Sequence, residues 1–342
     1  MTNYINIHTL ISHPSSMMNR DDSGLQKTAI FGGHTRARIS SQCLKRAIRN
    51  SDIYKKCVDE MSIRTKRVDD LIALCKTYIE GVNEEVLVSV IENLGSKIKV
   101  EKDKDTGEKS RYFDAVQPYS IGAIRELVYM VEGGLALKDI KKTPLVPTLD
   151  VCLSGRMDAS ATERNVEGAM SVAHSFTTHA ASIEVDWFTA CDDLSTQGSG
   201  HIGSNEFSSG VFYRYASINL DLLEKNCKKE KEELIEVIKM IISCFAKVTP
   251  PAKEKTFAAH TFADCILVTK STQPLSLANA FLKPIENNGN VMDSSIKALV
   301  NHFADLKNKY ELEDEAIGMD VTGQAVEVDG IKWVSKLSEI TV

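Results

Sequence analysis

The sequence holds no apolar run of the roughly 18 residues that a membrane-spanning helix requires, so no helical anchor is expected within it. Residues 4–11 alternate between apolar and polar instead of forming the continuous apolar stretch of a leader, which argues against secretion. None of the eight cysteines falls in a C-x-x-C pair, and no Cys/His group has zinc spacing. The expectation is a set of reduced thiols in a cytoplasmic protein, most of them filling core. His174 and His179 stand five apart, which suits no common metal pair, so packing or capping roles are expected for them. No metal, cofactor or internal repeat is indicated. An excess of positive charge is missing too: the net charge is −6, which taken alone opposes nucleic-acid binding.

The distribution of that charge reverses the argument. Residues 1–56 carry nine cations against Asp21, Asp22 and Asp52, a local +6, and the remaining residues balance it with −12. Such asymmetry suggests a localised polyanion site on an acidic body. The cations concentrate in 19–49. There a polar loop leads to Lys27, and the step Ala29-Ile30-Phe31 meets Gly32-Gly33, where backbone can turn or approach a ligand closely. Arg36 and Arg38 then alternate with Ala37 and Ile39 at strand period. Ser40 or Ser41 is placed to cap a helix over about 42–50. At about 100° per residue, Gln42, Lys45, Arg46 and Arg49 share one arc of that helix. Leu44, Ala47 and Ile48 oppose them. One face packs, and the other offers cations near a helix N-terminus, which itself favours anions. With Lys27, Arg36 and Arg38 added, an anion site is expected over an ordinary solvated face.

The chain is long enough for one large domain or two modest ones. Residues 4–11 read as a first strand. From 68 to 134 the apolar spacing is helical in three runs, separated in part by a charged stretch whose Asp105-Thr106-Gly107 suggests a solvated hairpin. Lys138, Lys141 and Lys142 form a second basic cluster ahead of Pro144. Residues 149–157 read as a strand and 167–179 as a helix. Strands follow at 183–190 and 211–220, flanking a segment, 192–210, with four glycines and five serines. A loop that long inside a compact domain tends to be functional, and Ile202 and Phe207 stand in it ready to pack on the body or to insert between stacked bases. A helix at 230–248, a strand at 265–269, a helix near 294–310 and an acidic end with a possible hairpin at 328–330 complete the chain.

With the helical block and the glycine-rich segment set aside, the order is strand, helix, strand, strand, helix, strand. That is the ferredoxin-like arrangement of RNA-recognition modules. Those modules read bases with aromatics on their strands. Here the cations sit on a loop and a helix, so tracking of a nucleic-acid backbone is the expected mode.

The opening INIHTLISHPSSMMNRDD, the QKTAIFGG step and RARISSQCLKRAIR resemble the CasC family, the backbone subunit of the type I-E CRISPR surveillance complex, Cascade. The likeness continues through LSGRM, EGAMSVAHSFTTH, DWFTACDDL, HIGSNEFSSGVFYRY and PLSLANAF, and is thinnest over 60–145 and after about 285. It implies an α+β fold: a ferredoxin-like (RRM-like) palm with an inserted helical fingers domain and a β-hairpin thumb. On that plan the palm takes 1–57, 147–191 and 211–310, the fingers 58–146, the thumb 192–210, and an acidic extension 311–342. The resemblance further implies a non-catalytic subunit of antiviral defence. Copies of it stack head to tail on CRISPR guide RNA (crRNA), kink the guide at regular intervals and present it to target DNA, with CasA, CasB, CasD and CasE as partners and no membrane involved.

By the same resemblance, Lys27, Ser40, Gln42, Lys45 and Arg49 match positions that contact the guide backbone, and Arg20 and Arg46 join them. Met157 and Ile202 match apolar positions flanking a displaced base, with Thr189 nearby. Lys138, Lys141 and Lys142 resemble a lysine-rich finger helix that meets target DNA, which Pro144 shortens. The competing reading is a metal-dependent ribonuclease using Asp21 and Asp22, since Mg²⁺ needs only one or two protein carboxylates beside substrate phosphate. Neighbours in sequence need not point to one place, no third acidic ligand is evident, and the matching family is not catalytic, so an enzyme is not expected.

Overall fold

The computed structural model describes residues 3–95, 97–103, 107–159, 161–194, 200–286, 288–323 and 327–341. The chain divides into two compact units. One comprises Met1–Cys57, Ser171–Asn219 and Glu232–Val342; the other comprises Val58–Met170 and Leu220–Lys231.

The first unit is built on a strand, Tyr4–Ser16, whose residues from Ile5 to Ile11 are all buried, so the polar and the apolar positions alike face packed protein. It pairs antiparallel with the long strand His201–Asn219 on one side and with Ala263–Ser271 on the other, so that Ile7 lies between Ala216 and Val268. A short strand, Ser175–Thr177, lies beyond His201–Asn219. With helices Ser41–Asn50 and Lys231–Lys247 the chain order is strand, helix, strand, strand, helix, strand, and the spatial order of the strands is fourth, first, third, second. That is the ferredoxin-like plan expected from the sequence. The sheet continues through His34–Ile39 to Thr28–Phe31 at one edge and through Glu315–Asp320 to Ile331–Val334 at the other.

Both faces of this sheet are covered. Ile5, Ile7, Ile11, Phe212, Ala216 and Val268 are buried on one side. There Arg214 reaches the carbonyls that end helix Lys231–Lys247, and Ser51 at the end of helix Ser41–Asn50 meets Cys244. On the opposite side Leu10, Tyr213, Tyr215, Cys265 and Leu267 pack against Leu277 and Phe281 and against Ile296, Leu299, Val300 and Phe303 of helix Val291–Lys309. Burial of each such side chain contributes about 1.5–3 kcal/mol. The consequence is functional as well as structural: the face that an RNA-recognition sheet leaves open for stacking is core here.

The second unit packs helices Val68–Tyr78, Glu84–Glu92 and Ile121–Glu132 on a three-stranded sheet of Ile63–Arg67, Ile98–Lys102 and Lys109–Tyr119. Leu71, Leu87, Ile91, Phe113, Leu127 and Ile140 lie in its core. Strands Ile98–Lys102 and Lys109–Tyr119 are antiparallel, so the expected hairpin is present, although Asp105 and Thr106 fall outside the described residues. Residues 147–170, expected with the palm, cluster with this unit.

Three local readings are corrected. Residues 149–157 do not form a strand: Leu149–Ser154 is a helix, begun where buried Asp150 accepts hydrogen bonds from Ser62 and Thr148, and ended by Gly155 at φ +81°. Residues 167–179 are not a helix but carry two short strands, Met170–Val172 and Ser175–Thr177. Around Val328–Gly330 there is no hairpin, because Ile331–Val334 pairs parallel with Glu315–Asp320.

Candidate nucleic-acid interface

The loop 19–27 and helix Ser41–Asn50 are joined by a chain of hydrogen bonds that starts at Asn19. Its backbone carbonyl accepts from Lys27 N at 2.9 Å, and its side-chain Oδ1 accepts from Ser40 N at 2.9 Å. Ser40 Oγ in turn accepts from Cys43 N at 3.2 Å, which makes Ser40 the helix N-cap. Its hydroxyl hydrogen remains available as a donor. His174 Nδ1 accepts from Ser41 N at 2.9 Å, so the imidazole is the neutral tautomer with its proton on Nε2. Burial, then the charges of Arg38 and Lys27, hold its pKa below the ordinary histidine value. The capping role expected for this histidine is therefore seen. His179 is tied to backbone as well: its Nδ1 donates to Ala180 O and its Nε2 accepts from Val211 N.

The helix exposes Gln42 and Arg46, and Lys45 and Arg49 in part, while Leu44, Ala47 and Ile48 are buried, as the periodicity predicts. Lys27 and Arg38 are part-exposed in the same unit, and Arg38 Nε donates to Thr28 O. Arg20 is exposed and bridges to Gln26 across the loop.

Arg36 does not belong with these cations. It is fully buried, donating to Thr177 O at 2.9 Å and Phe281 O at 2.8 Å with its guanidinium over the Phe31 ring, and burial depresses its pKa. Gly32 is structural in the same way. A Cβ on Gly32, at φ +60°, would stand 1.7 Å from Leu282 O, so Gly32 admits the backbone of Leu282 rather than a ligand.

Asp21 also works within the loop, its Oδ1 accepting from Ser23 N and Leu25 N, both at 2.9 Å. These bonds order the loop. No group of three or more possible metal-ligating side chains occurs among the described residues, and no helix among them is long and apolar enough to cross a membrane.

The glycine-rich segment 192–210 is part of a longer hairpin. Strand Glu184–Ala190 pairs with the first residues of His201–Asn219, and every residue of Glu184–Ala190 is exposed. Residues 195–199, Gly198 included, fall outside the described set. Ile202 is directly opposite Thr189. Directly opposed residues share a sheet face and alternate residues repeat it, so Ile202, Thr189, Trp187, Val185 and Glu206 lie on one face. Trp187 is 72% exposed and Ile202 65%. On the other face the Phe188 ring covers Gly203, and Phe207 meets Phe257 with ring centroids 6.0 Å apart. Phe207 thus packs on the body, while Ile202 projects. Trp187 escaped the sequence reading: the period-two pattern Val185, Trp187, Thr189 marks a strand, and only the exposure marks a binding face.

Met157 belongs to the other unit and is 85% exposed. Its carbonyl accepts from Gln117 Nε2 at 3.0 Å, and the flanking Arg156 pairs with both Val166 and Asp158. Lys138, Lys141 and Lys142 lie on a short 3₁₀ helix, Leu137–Lys142, in place of an α-helix. Lys138 and Lys142 are exposed. Buried Arg164 fixes this segment by donating to Ile140 O and Thr143 O, a role that nothing in the sequence pattern signals.

A family model described as CT1975-like protein matches residues 5–337. No curated protein matches the sequence. Among solved structures, a chain of a "CRISPR RNA-guided surveillance complex, pre-nicking" superposes with a TM-score of 0.82 at 26% identity, covering 98% of this chain and 97% of that one. A chain of a second "CRISPR RNA-guided surveillance complex" superposes with a TM-score of 0.73 at 23% identity over 97% and 96% of the two chains, which is a likeness of fold. The matched span leaves out only the first four and last five residues, and the chain belongs to the CT1975-like protein family.

Proposed function

We propose that this protein is a non-catalytic, CRISPR RNA-binding backbone subunit of a type I-E Cascade complex. Copies assemble head to tail along the guide, kink it at regular intervals and hold it for pairing with target DNA. The observation that carries this reading is the division of labour within one unit. Cations and an amide line the outer arc of helix Ser41–Asn50 beside Lys27 and Arg38, and a separate hairpin carries Ile202, Trp187 and Thr189 outward with nothing of its own body over them. Phosphate contacts position a nucleic acid without reading it, and the sheet face that would read bases is buried. Specificity then falls to guide pairing.

In this reading Arg20, Lys27, Ser40, Gln42, Lys45, Arg46 and Arg49 hold guide backbone. Thr189, Ile202 and Met157 flank the displaced base. The fingers offer Lys138, Lys141 and Lys142 to target DNA. Head-to-tail association joins two unlike surfaces, so assembly is open and ends at a capping partner or the end of the RNA. Partner subunits of the CasA, CasB, CasD and CasE kinds complete the particle in the cytoplasm. Co-expression with a CRISPR array tests the reading: guide-length RNA should co-purify in particles of regular mass. Metal-dependent cleavage of RNA by the purified protein, or RNA-bound material that stays monomeric, would overturn it.

A further inference from the structure

The exposed hairpin and the cationic loop are not independent elements. Gln26, in the loop that delivers Lys27, donates its backbone N–H to Glu206 Oε2 at 2.8 Å. Gln26 is buried, and its Nε2 donates to Asn19 O at 3.4 Å and Lys27 O at 3.2 Å. From Asn19 the chain of bonds continues through Ser40 to Cys43 at the start of the cationic helix. An unbroken path therefore runs from the hairpin strand to both elements that carry the cations. Glu206 lies on the same strand face as Ile202, four residues away, or about 13 Å at strand rise.

A carboxylate beside a phosphate-gripping loop opposes the bound anion, so its presence calls for a reason. A hydrogen bond to an ionised acceptor is shorter and roughly twice as strong as a neutral one. A strand held at one point by such a bond keeps its far end at a fixed height. We propose that Glu206 is a positioning residue: by tying the hairpin to the loop 19–27 it fixes the distance between the apolar residues that displace a base and the groups that hold phosphates, and so sets which nucleotide is displaced. This rests on the guide-binding reading above.

The test uses Glu206→Ala and Glu206→Gln in the full chain, with and without guide RNA. Glutamine keeps an acceptor oxygen and removes the charge. Without RNA, hydrogen exchange at the Gln26 amide should quicken about tenfold in Glu206→Ala, as expected when a part-buried charge-assisted bond is lost, and by clearly less in Glu206→Gln, which keeps a neutral acceptor. In the guide complex, chemical probing of wild type should give evenly spaced reactive bases. Glu206→Ala should spread each reactive position over neighbouring nucleotides while leaving the salt dependence of binding unchanged, and Glu206→Gln should restore sharp positions. Unchanged exchange in Glu206→Ala, or quickened exchange with a pattern as sharp as wild type, overturns the positioning role. Absence of periodic reactivity in wild type overturns the guide-binding reading instead, and the exchange arm separates the two failures.

Discussion

Ile202 and Thr189 face each other across the hairpin, and Trp187 is the next residue along on the same side. The three make an exposed apolar edge on a projection with no other visible employment, since Phe207 and Phe188 fold onto the body and onto Gly203. An apolar wedge needs no hydrogen bond to a base: displacement costs unstacking, a few kcal/mol per step, and the side chain replaces part of the lost contact. Ile202→Gly with Met157→Ala should therefore blur the spacing of reactive guide bases while total affinity, which phosphates dominate, changes little. Trp187→Ala should act in the same direction. Chemical probing of assembled particles reads this, and a periodic pattern that survives all three changes would show that the backbone path alone displaces the bases.

Lys45 and Arg49 are predicted to act through charge. Single-stranded binding loses about 0.7 in the slope of log K against log salt for each phosphate contact removed. The Lys45→Ala, Arg49→Ala double variant should thus flatten that slope by about 1.4, equally for every guide sequence. Reversing Lys55 and Lys56 serves as a control for solvated charge. Arg36→Ala should behave oppositely, lowering stability and leaving the slope alone, because its guanidinium is buried with Nη1 and Nη2 donating to the Thr177 and Phe281 carbonyls. A changed slope for Arg36→Ala, or an unchanged one for the double variant, would redraw the interface.

That contrast also shows what the sequence could and could not convey. The helix Ser41–Asn50 was legible because its cap and its period of apolar residues are local signals. Arg36 was not, because its partners lie more than 140 and 240 residues away, and a cation on a strand pattern looks the same whether it faces water or carbonyls. Residues 167–179 carried helix-like spacing, but pairing of Ser175–Thr177 with His34–Ile39 and His201–Asn219 overrides it. The first strand read as 4–11 runs on to Ser16 because its polar end still has a partner in Ser208. The Glu206 tie joins residues 180 apart and was invisible for the same reason. Ile202 stood out as an apolar residue in a glycine-rich segment, Thr189 only through the family likeness, and the register that sets them opposite each other is a product of the fold.

Gly32 and Gly33 should differ in tolerance although both have positive φ. An alanine at 33 meets no atom within 4 Å and pays only for a left-handed backbone, a cost of about 1 kcal/mol. At 32 the same change also drives a methyl into Leu282 O, so the loss should exceed that by a further 1–3 kcal/mol or so. Urea unfolding compares the two directly. Equal midpoints would mean that the turn moves away from Leu282 at little cost, and that the glycine is free for another role.

His8 gives a pH dependence whose sign follows from its surroundings. It is buried between Tyr213 and Tyr215, with Nδ1 2.9 Å from Tyr213 Oη. That hydroxyl also accepts from Leu277 N, and burial keeps the ring neutral. Burial pushes its pKa from 6.5 down to about 3. The unfolded chain takes up this proton as pH falls through about 6.5, and the folded chain does not until about 3. Stability is therefore full above 6.5 and declines below it, by up to about 1.4 kcal/mol per pH unit for this one group. His13, buried beside Arg214 and likewise depressed, adds to the same decline. His8→Gln keeps an acceptor for the tyrosine hydroxyl and removes the titration, so its stability should fall less steeply than wild type between pH 6.5 and 4.5. Parallel curves for the two proteins over that range would show that His8 is already protonated in the fold.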